Sequence, residues 1–417
     1  MKRRLHGYAK KLFLRSLGGI QGGFLELVCP DATYTFGDPG AELRAMAVIY
    51  DERFFWRALT GADVGIGESY MDGEWTSPNL VSLVRLVTRN LRRVDGGNRM
   101  FSALRSWASR VQHKLRSNTL KGSTRNIRAH YDVGNEFYRL FLDREMLYSC
   151  AYFRSPADSL EDAQRNKMEL ICRKLQIEPG DRILEIGCGW GAFAIYAARN
   201  FGAHVTGVTI SAAQYEFATR RLANAEMKPG SVRILLEDYR HLRGEFDKIV
   251  SIEMFEAVGL DRYDEFFCAC DRLLTPDGSL LLQTITMPEQ ELRAYRRRVD
   301  WMQTYVFPGS ELAFVGEIQK SIGRVARMSL THLESFGLHY AKTLELWRAR
   351  FFQKLSDIQD LGFPETFQRM WHFYLSWCEG AFRERYIDVV HLLMTKNGAV
   401  KTPMFPTPLP AEEFSAG

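Results

Sequence analysis

Between Arg182 and Thr286, short apolar runs alternate with segments whose apolar residues recur every three or four positions. The runs predict strands at 182–187, 204–209, 232–236, 247–253 and 278–286, and the periodic segments predict helices at 190–200, 212–224 and 261–274. Such alternation builds a mostly parallel sheet with helices on both faces. Upstream, residues 129–143 read as an amphipathic helix, and Ser159, three residues before Asp162, caps a helix that runs to Lys174. Downstream, 288–322 is an aromatic, mostly helical insertion, a long helical stretch covers Tyr340 to Tyr386, and Asp388 to Met394 returns as a strand. The first 91 residues follow another rhythm. A basic amphipathic helix at Met1–Leu17 precedes strands at 24–28 and 34–36. A helix after Asp51 is interrupted by a glycine-rich loop at Gly65–Gly73, and another spans Asn79 to Asn90.

A chain of 417 residues exceeds one ordinary core. The pattern divides it into a small α+β domain at 1–91, a linker at 92–124, an α/β domain at 125–400 and a tail at 401–417. The net charge of +5 is unevenly placed: from Arg92 to Arg128, Arg and Lys recur against the single acid Asp95. That segment is suited to phosphates, and with no nucleic-acid module beside it, to those of lipid headgroups; a solvated linker is the plain alternative. The Met1–Leu17 helix suits an anionic bilayer surface, or an ordinary docking role. The seven cysteines lack disulfide or zinc spacing and the nine histidines are dispersed, so a reducing, cytoplasmic setting and no metal site are expected. No apolar run has the length of a membrane span, and Lys10, Lys11 and Arg15 break up the start where a secretory signal would be apolar.

Candidate chemistry begins at Arg182–Gly191, where a strand carrying Glu185 feeds a turn with Gly187, Gly189 and Gly191. Glycines at a first strand–helix turn let a nucleoside approach the backbone. Their Gly-x-Gly-x-Gly spacing differs from the dinucleotide fingerprint that seats a pyrophosphate, which favours S-adenosylmethionine over NAD. A purely structural glycine turn is the alternative.

Several further motifs accompany this turn. They are His130-Tyr131-Asp132-x-Gly134-Asn135, Tyr148-Ser149-Cys150-Ala151-Tyr152-Phe153, Gly207 to Ser211 with Gln214, and Met254-Phe255-Glu256-x-Val258-Gly259. With Phe336-Gly337-x-x-Tyr340 and Cys378-x-Gly380-Ala381-Phe382-Arg383, they resemble the cyclopropane-fatty-acyl-phospholipid synthases over essentially the whole chain. The resemblance implies a Rossmann-like class I methyltransferase domain behind a small α+β N-terminal domain. That domain would engage an anionic phospholipid membrane or pair copies into a homodimer, leaving the enzyme peripheral at the membrane's inner face. The implied reaction moves a methyl from S-adenosylmethionine to the double bond of an unsaturated acyl chain in a phospholipid, then closes a cyclopropane ring by proton loss, with the acyl chain under the 288–322 insertion.

The same resemblance assigns residues. Gly187, Gly189 and Gly191, with Glu185 beside them, admit the methionine and ribose; Thr209, standing where a ribose-binding acid is usual, serves with Gln214; Asp238 and Tyr239 meet the adenine; Tyr131, Tyr148 and Ser149 close the site. A bound bicarbonate acts as base, held by the backbone of Cys150, by Glu256, by the backbone of Ile285 and by Tyr340. Cys378 matches a cysteine once regarded as catalytic, but without a neighbouring base it reads as a structural thiol. Two positions depart from the pattern: Gln283 stands where the best-known members have His, and Ala257 where many do. Glutamine can donate a hydrogen bond to an anion but cannot relay a proton, so bicarbonate binding and ring closure are open. A methyl-branched or methylene product is one alternative, a lipid-binding pseudoenzyme or a methyltransferase for a small polar acceptor the others.

Overall fold

The apolar runs downstream of Arg182 form a seven-stranded sheet. The computed structural model describes residues 2–93, 133–223 and 228–399. These divide into two units, the second comprising Gly134–Gln290, Gly309–Thr343 and the chain from Asp388. Its strands are β5 (Arg182–Ile186), β6 (His204–Thr209), β7 (Ser231–Leu236), β8 (Phe246–Ile252), β9 (Leu274–Thr286), β10 (Met328–Ser335) and β11 (Asp388–Lys396). Their order is β10-β11-β9-β8-β5-β6-β7, with only β11 antiparallel to its neighbours. Strands β1–β4 belong to the first unit.

Both faces of this sheet are covered, so the strands read as apolar runs rather than alternating ones. In β9, Leu280 and Leu282 join one core with Phe266, Phe267 and Ile318, while Leu281 joins the other with Ile171, Phe193 and Ala197. The chain moves outward from β5 to β6 and β7, then returns to lay β8 on the other side of β5. That reversal opens a crevice at the carboxyl ends of β5 and β8, where ligands of such sheets bind.

The helices at Leu160–Lys174, Ala192–Phe201, Ala212–Ala223 and Tyr263–Leu273 fall where the periodicity places them, and the Asp162 N–H donates to Ser159 Oγ at 3.1 Å. Two expectations change. The helix expected over 129–143 spans only Asn135–Arg139, its first residues lying outside those described. The stretch from Tyr340 to Tyr386 is three helices, Gly337–Gln353, Leu355–Asp360 and Glu365–Arg383, divided where Gly362 takes a φ of +88° ahead of Pro364.

The first unit contains the chain up to Val133 with Glu291–Pro308 and Leu344–Ile387, which departs from a single 125–400 domain. Its small sheet, in the order β2-β1-β3-β4, consists of β1 (Phe24–Val28), β2 (Thr33–Gly37), β3 (Arg44–Ile49) and β4 (Trp75–Thr76). The glycine-rich loop expected at Gly65–Gly73 is a correction: a helix runs through it from Arg53 to Met71, kinked at Ala62. Close packing explains the glycines. A Cβ on Gly67 would lie 2.3 Å from the Trp301 ring, and one on Gly65 2.1 Å from the Arg57 carbonyl oxygen. Arg369, on the helix Glu365–Arg383, donates to the Tyr70 and Trp75 carbonyls at 2.6 and 2.8 Å. In the helix Lys2–Leu17, Phe13 packs against Phe54 and Phe55, and Lys10 pairs with Asp31 and Glu52, which is the docking arrangement. Of the basic segment, 94–132 lies outside the described residues, as does the tail from 400. No described helix is long and apolar enough to cross a membrane.

Candidate active site

The turn after β5 holds Gly187, Gly189 and Gly191 at φ of +81°, +51° and +81°. A Cβ on Gly187 would strike Met254 at 2.5 Å, whereas one on Gly189 would project into open space. Two of the turn's amides, of Gly187 and Cys188, donate to the Val208 carbonyl at 3.0 Å, tying the turn to β6. Glu185 is buried; it takes a bond from the Ala194 N–H, its Oε2 has no protein partner, and burial pushes its carboxyl up to about 8. Open backbone at Gly189 and an unanswered carboxyl oxygen on the strand that leads into the turn fit a nucleoside bearing an amino acid, with no phosphate to seat.

Other residues expected around a cofactor are distributed along the same edge of the sheet. Thr209, at the end of β6, donates to Gln214 Oε1 at 2.7 Å and accepts from the Ser211 N–H at 3.1 Å, which turns the amide nitrogen of Gln214 away from Thr209. Asp238 follows β7 and pairs with Arg240 at 2.6 Å, a bond that holds its carboxyl below the usual range. Tyr239 turns inward, edge-on to Phe266 at 5.5 Å. Tyr148 lies 5.1 Å from Tyr138, whose ring meets Trp190 at 5.4 Å; Trp190 in turn donates to Asn135 at 2.7 Å. Ser149 is buried and accepts from Lys167 Nζ at 2.6 Å. Tyr131 lies outside the described residues.

A second cluster sits past the ends of β8 and β9. Glu253 directly follows β8 in a left-handed conformation, φ +50°, which is costly for a residue with a Cβ. Its Oε1 accepts from the Cys150 N–H at 2.8 Å and from Gln283 Nε2 at 2.7 Å, and its Oε2 from the Tyr340 hydroxyl at 2.6 Å. Burial raises its pKa, against the opposing pull of the Tyr340 and Cys150 donors and the Lys167 ammonium. Glu256 accepts from the Ile285 N–H at 2.6 Å and the Thr284 hydroxyl at 3.0 Å. Its Oε2 is buried without a partner, and burial, then the charge of Glu253, push it up to about 7.

Gln283 is fixed from behind. His391, its partner in β11, lies 2.9 Å from Gln283 Oε1 through Nε2, and its Nδ1 is 2.9 Å from Lys174 Nζ, which also pairs with Glu334. Burial drives the His391 pKa well below its ordinary value. The neutral ring with hydrogen on Nε2 satisfies both contacts, accepting from the lysine and donating to the amide oxygen. The Gln283 NH2 is thereby aimed at Glu253. The loop that presents Cys150 is pinned residue by residue: the Ala151 N–H donates to Thr343 Oγ1 at 3.1 Å, and that of Phe153 to His339 Nδ1 at 2.9 Å.

The site thus unites Cys150, Glu256, Gln283, Ile285 and Tyr340, but around Glu253, a residue the sequence reading omitted. The donors expected to hold bicarbonate are engaged by protein carboxylates, those of Cys150 and Tyr340 by Glu253 and that of Ile285 by Glu256, so the cradle does not fit a free bicarbonate. The Cys150 thiol is fully buried and its pKa pushed well up, which leaves it no thiolate character. Cys378 belongs to the first unit, and burial raises its pKa as well. Lys167 and His391 were also missed. Lys167 had a signal: with Gln164 and Lys174 it falls on the face of its helix shared with Met168 and Ile171, where a lysine needs a buried partner.

The chain is similar to known proteins over most of its length. The sequence model of the family described as mycolic acid cyclopropane synthetase matches residues 118–392. The cyclopropane-fatty-acyl-phospholipid synthase of Escherichia coli K12 is 40% identical over 347 residues, 82% of this chain and 86% of that protein. The tuberculostearic acid methyltransferase UfaA1 of Mycobacterium tuberculosis is 37% identical over 350 residues, 80% of this chain and 79% of that one. Among solved structures, the cyclopropane synthase MmaA2 of M. tuberculosis matches with a TM-score of 0.60 at 33% identity, covering 67% of this chain and all of that one. The mycolic acid cyclopropane synthase CmaA1, complexed with SAH and CTAB, matches at 0.59 and 35%, covering 66% and 98%. From the matched length, and from identity maintained over four-fifths of the chain, the protein belongs to the mycolic acid cyclopropane synthetase family.

Proposed function

We propose that this chain is an S-adenosylmethionine-dependent C-methyltransferase that adds a methylene to the double bond of an unsaturated phospholipid acyl chain, forming a cyclopropane. The observation that carries this reading is the pairing, along one edge of one sheet, of an open glycine turn at Gly189 with the buried carboxylates past β8. The E. coli relative's name supplies the acyl phospholipid, and the SAH in the CmaA1 structure supplies the cofactor class.

Glu185, Gly187, Gly189 and Gly191 would hold the cofactor's amino-acid and ribose portions, with Thr209 and Gln214 at the ribose and Asp238 toward the base. When bound, S-adenosylmethionine supplies an electrophilic methyl on a sulfonium. An alkene is a weak nucleophile, so the chain's part is alignment, which can supply roughly 7–11 kcal/mol of the barrier. It also excludes water from the cation that follows. The complete burial of Cys150 and Gln283 suits that task. A carboxylate then receives the proton.

A second reading is favoured by Gln283 and by the likeness to UfaA1: the proton leaves elsewhere and a methyl-branched or methylene chain results. In both readings the enzyme works as a peripheral protein at the membrane's inner face. Mass spectrometry of phospholipids after incubation with the purified chain tests the proposal. An acyl chain heavier by one methylene whose fragmentation shows a ring supports it, and an isomeric branched or methylene chain supports the second reading; failure to bind S-adenosylmethionine in calorimetry supports a pseudoenzyme, and methylation of small polar acceptors alone another substrate class.

A further inference from the structure

We infer that Glu253 occupies the position of a free bicarbonate base and itself takes the proton released after methyl transfer. The inference rests on the functional reading above. Its support is the convergence on one side chain of the donors that would otherwise hold a small carboxylate-like anion. The Cys150 N–H, the Gln283 amide and the Tyr340 hydroxyl all reach Glu253 at 2.6 to 2.8 Å. A carboxylate and a bicarbonate offer the same planar pair of oxygens, so the cradle serves either, and here a covalently attached one fills it.

The backbone gives a second, independent indication. Glu253 sits at φ +50°, where glycine is the residue of least strain. Strained non-glycine residues persist where the surroundings over-determine them and cluster at functional sites. Here the over-determination is visible as three side-chain bonds plus the Glu253 N–H donating to the Gln283 carbonyl at 2.8 Å.

The step balances. The alkene π pair bonds to the methyl carbon as the carbon–sulfur bond breaks, its pair staying on sulfur. The carbocation then loses a proton from the added methyl to the Glu253 carboxylate, and the freed C–H pair closes the ring. Solvent recovers the proton before the next turnover. Lys167 and the His391–Gln283 pair are positioning residues for this base.

The test compares turnover of the full chain on unsaturated phospholipid vesicles in carbon dioxide-free buffer with and without added bicarbonate. Wild-type turnover should be unchanged by bicarbonate. Glu253→Gln should lose about 10²–10⁴-fold in kcat with S-adenosylmethionine affinity maintained, and bicarbonate should not restore it, because the amide still fills the cradle. Glu253→Gly, which suits the left-handed backbone and empties the cradle, should be equally slow but regain turnover several-fold with added bicarbonate, saturably. A purely structural role would not give anion rescue confined to the glycine variant. Wild-type turnover that collapses without bicarbonate, or an active Glu253→Gln, overturns the assignment alone. A wild-type chain that methylates no lipid overturns the functional reading and this assignment with it.

Discussion

His391 shows what one buried ring decides. Its contacts with Lys174 and Gln283 fix the tautomer, and the tautomer fixes which end of the Gln283 amide faces Glu253. Replacing it with Leu leaves the buried amide oxygen without a partner and takes one of two partners from the Lys174 ammonium, which keeps Glu334. His391→Leu should cost about 1–3 kcal/mol in urea unfolding and slow turnover about tenfold as the amide rotates. Unchanged stability would contradict the network. Glu185 gives a linkage prediction. Its folded pKa of about 8 lies above the ordinary 4.5, so the folded state holds a proton that the unfolded chain releases. Stability therefore falls as pH rises from 4.5 through about 8, and the loss is complete above that. Glu185→Gln removes the effect: its urea midpoint should gain on wild type across that window, by up to a few kcal/mol at about 1.4 kcal/mol per unit. A gap independent of pH would contradict a buried, protonated Glu185. Gln283 and Glu256 were legible in the sequence because motifs carry them. Glu253 was not, since a lone acid after an apolar run looks like a strand end meeting water.

At the scale of elements, the α/β alternation after Arg182 was readable because each strand and helix announces itself by its own period. Misreadings came where tertiary packing overrides local preference. Gly65 and Gly67 look like loop punctuation but lie inside a helix, where a neighbouring indole and a backbone carbonyl leave no room for a Cβ. A matched pair of substitutions separates these roles. Gly67→Ala, facing the Trp301 ring at 2.3 Å, should lower stability by about 1–3 kcal/mol through overpacking. Gly323→Ala, inside the helix Val315–Val325 with nothing within 4 Å, should raise it by up to about 1 kcal/mol through helix propensity. Thermal unfolding of both variants reads the result, and equal shifts of one sign would contradict the packing explanation.

For the whole molecule, the sequence order suggested one long catalytic domain, yet Glu291–Pro308 and Leu344–Ile387 pack with the first unit. Periodicity tells that a helix has an apolar face, not which core receives it. Membrane engagement belongs to this scale. The recurrent Arg and Lys from Arg92 to Arg128 predict that the chain sediments with anionic vesicles, less so as salt rises, and weakly with neutral ones. Equal binding to both would contradict an electrostatic contribution. Ring closure is read by supplying S-adenosylmethionine carrying a trideuterated methyl, with vesicles of unsaturated phospholipid, and analysing the acyl chains. A cyclopropane-bearing chain that retains two of the three deuterons is expected, with nothing added to saturated lipid. A chain retaining all three, or no labelled lipid at all, would contradict it.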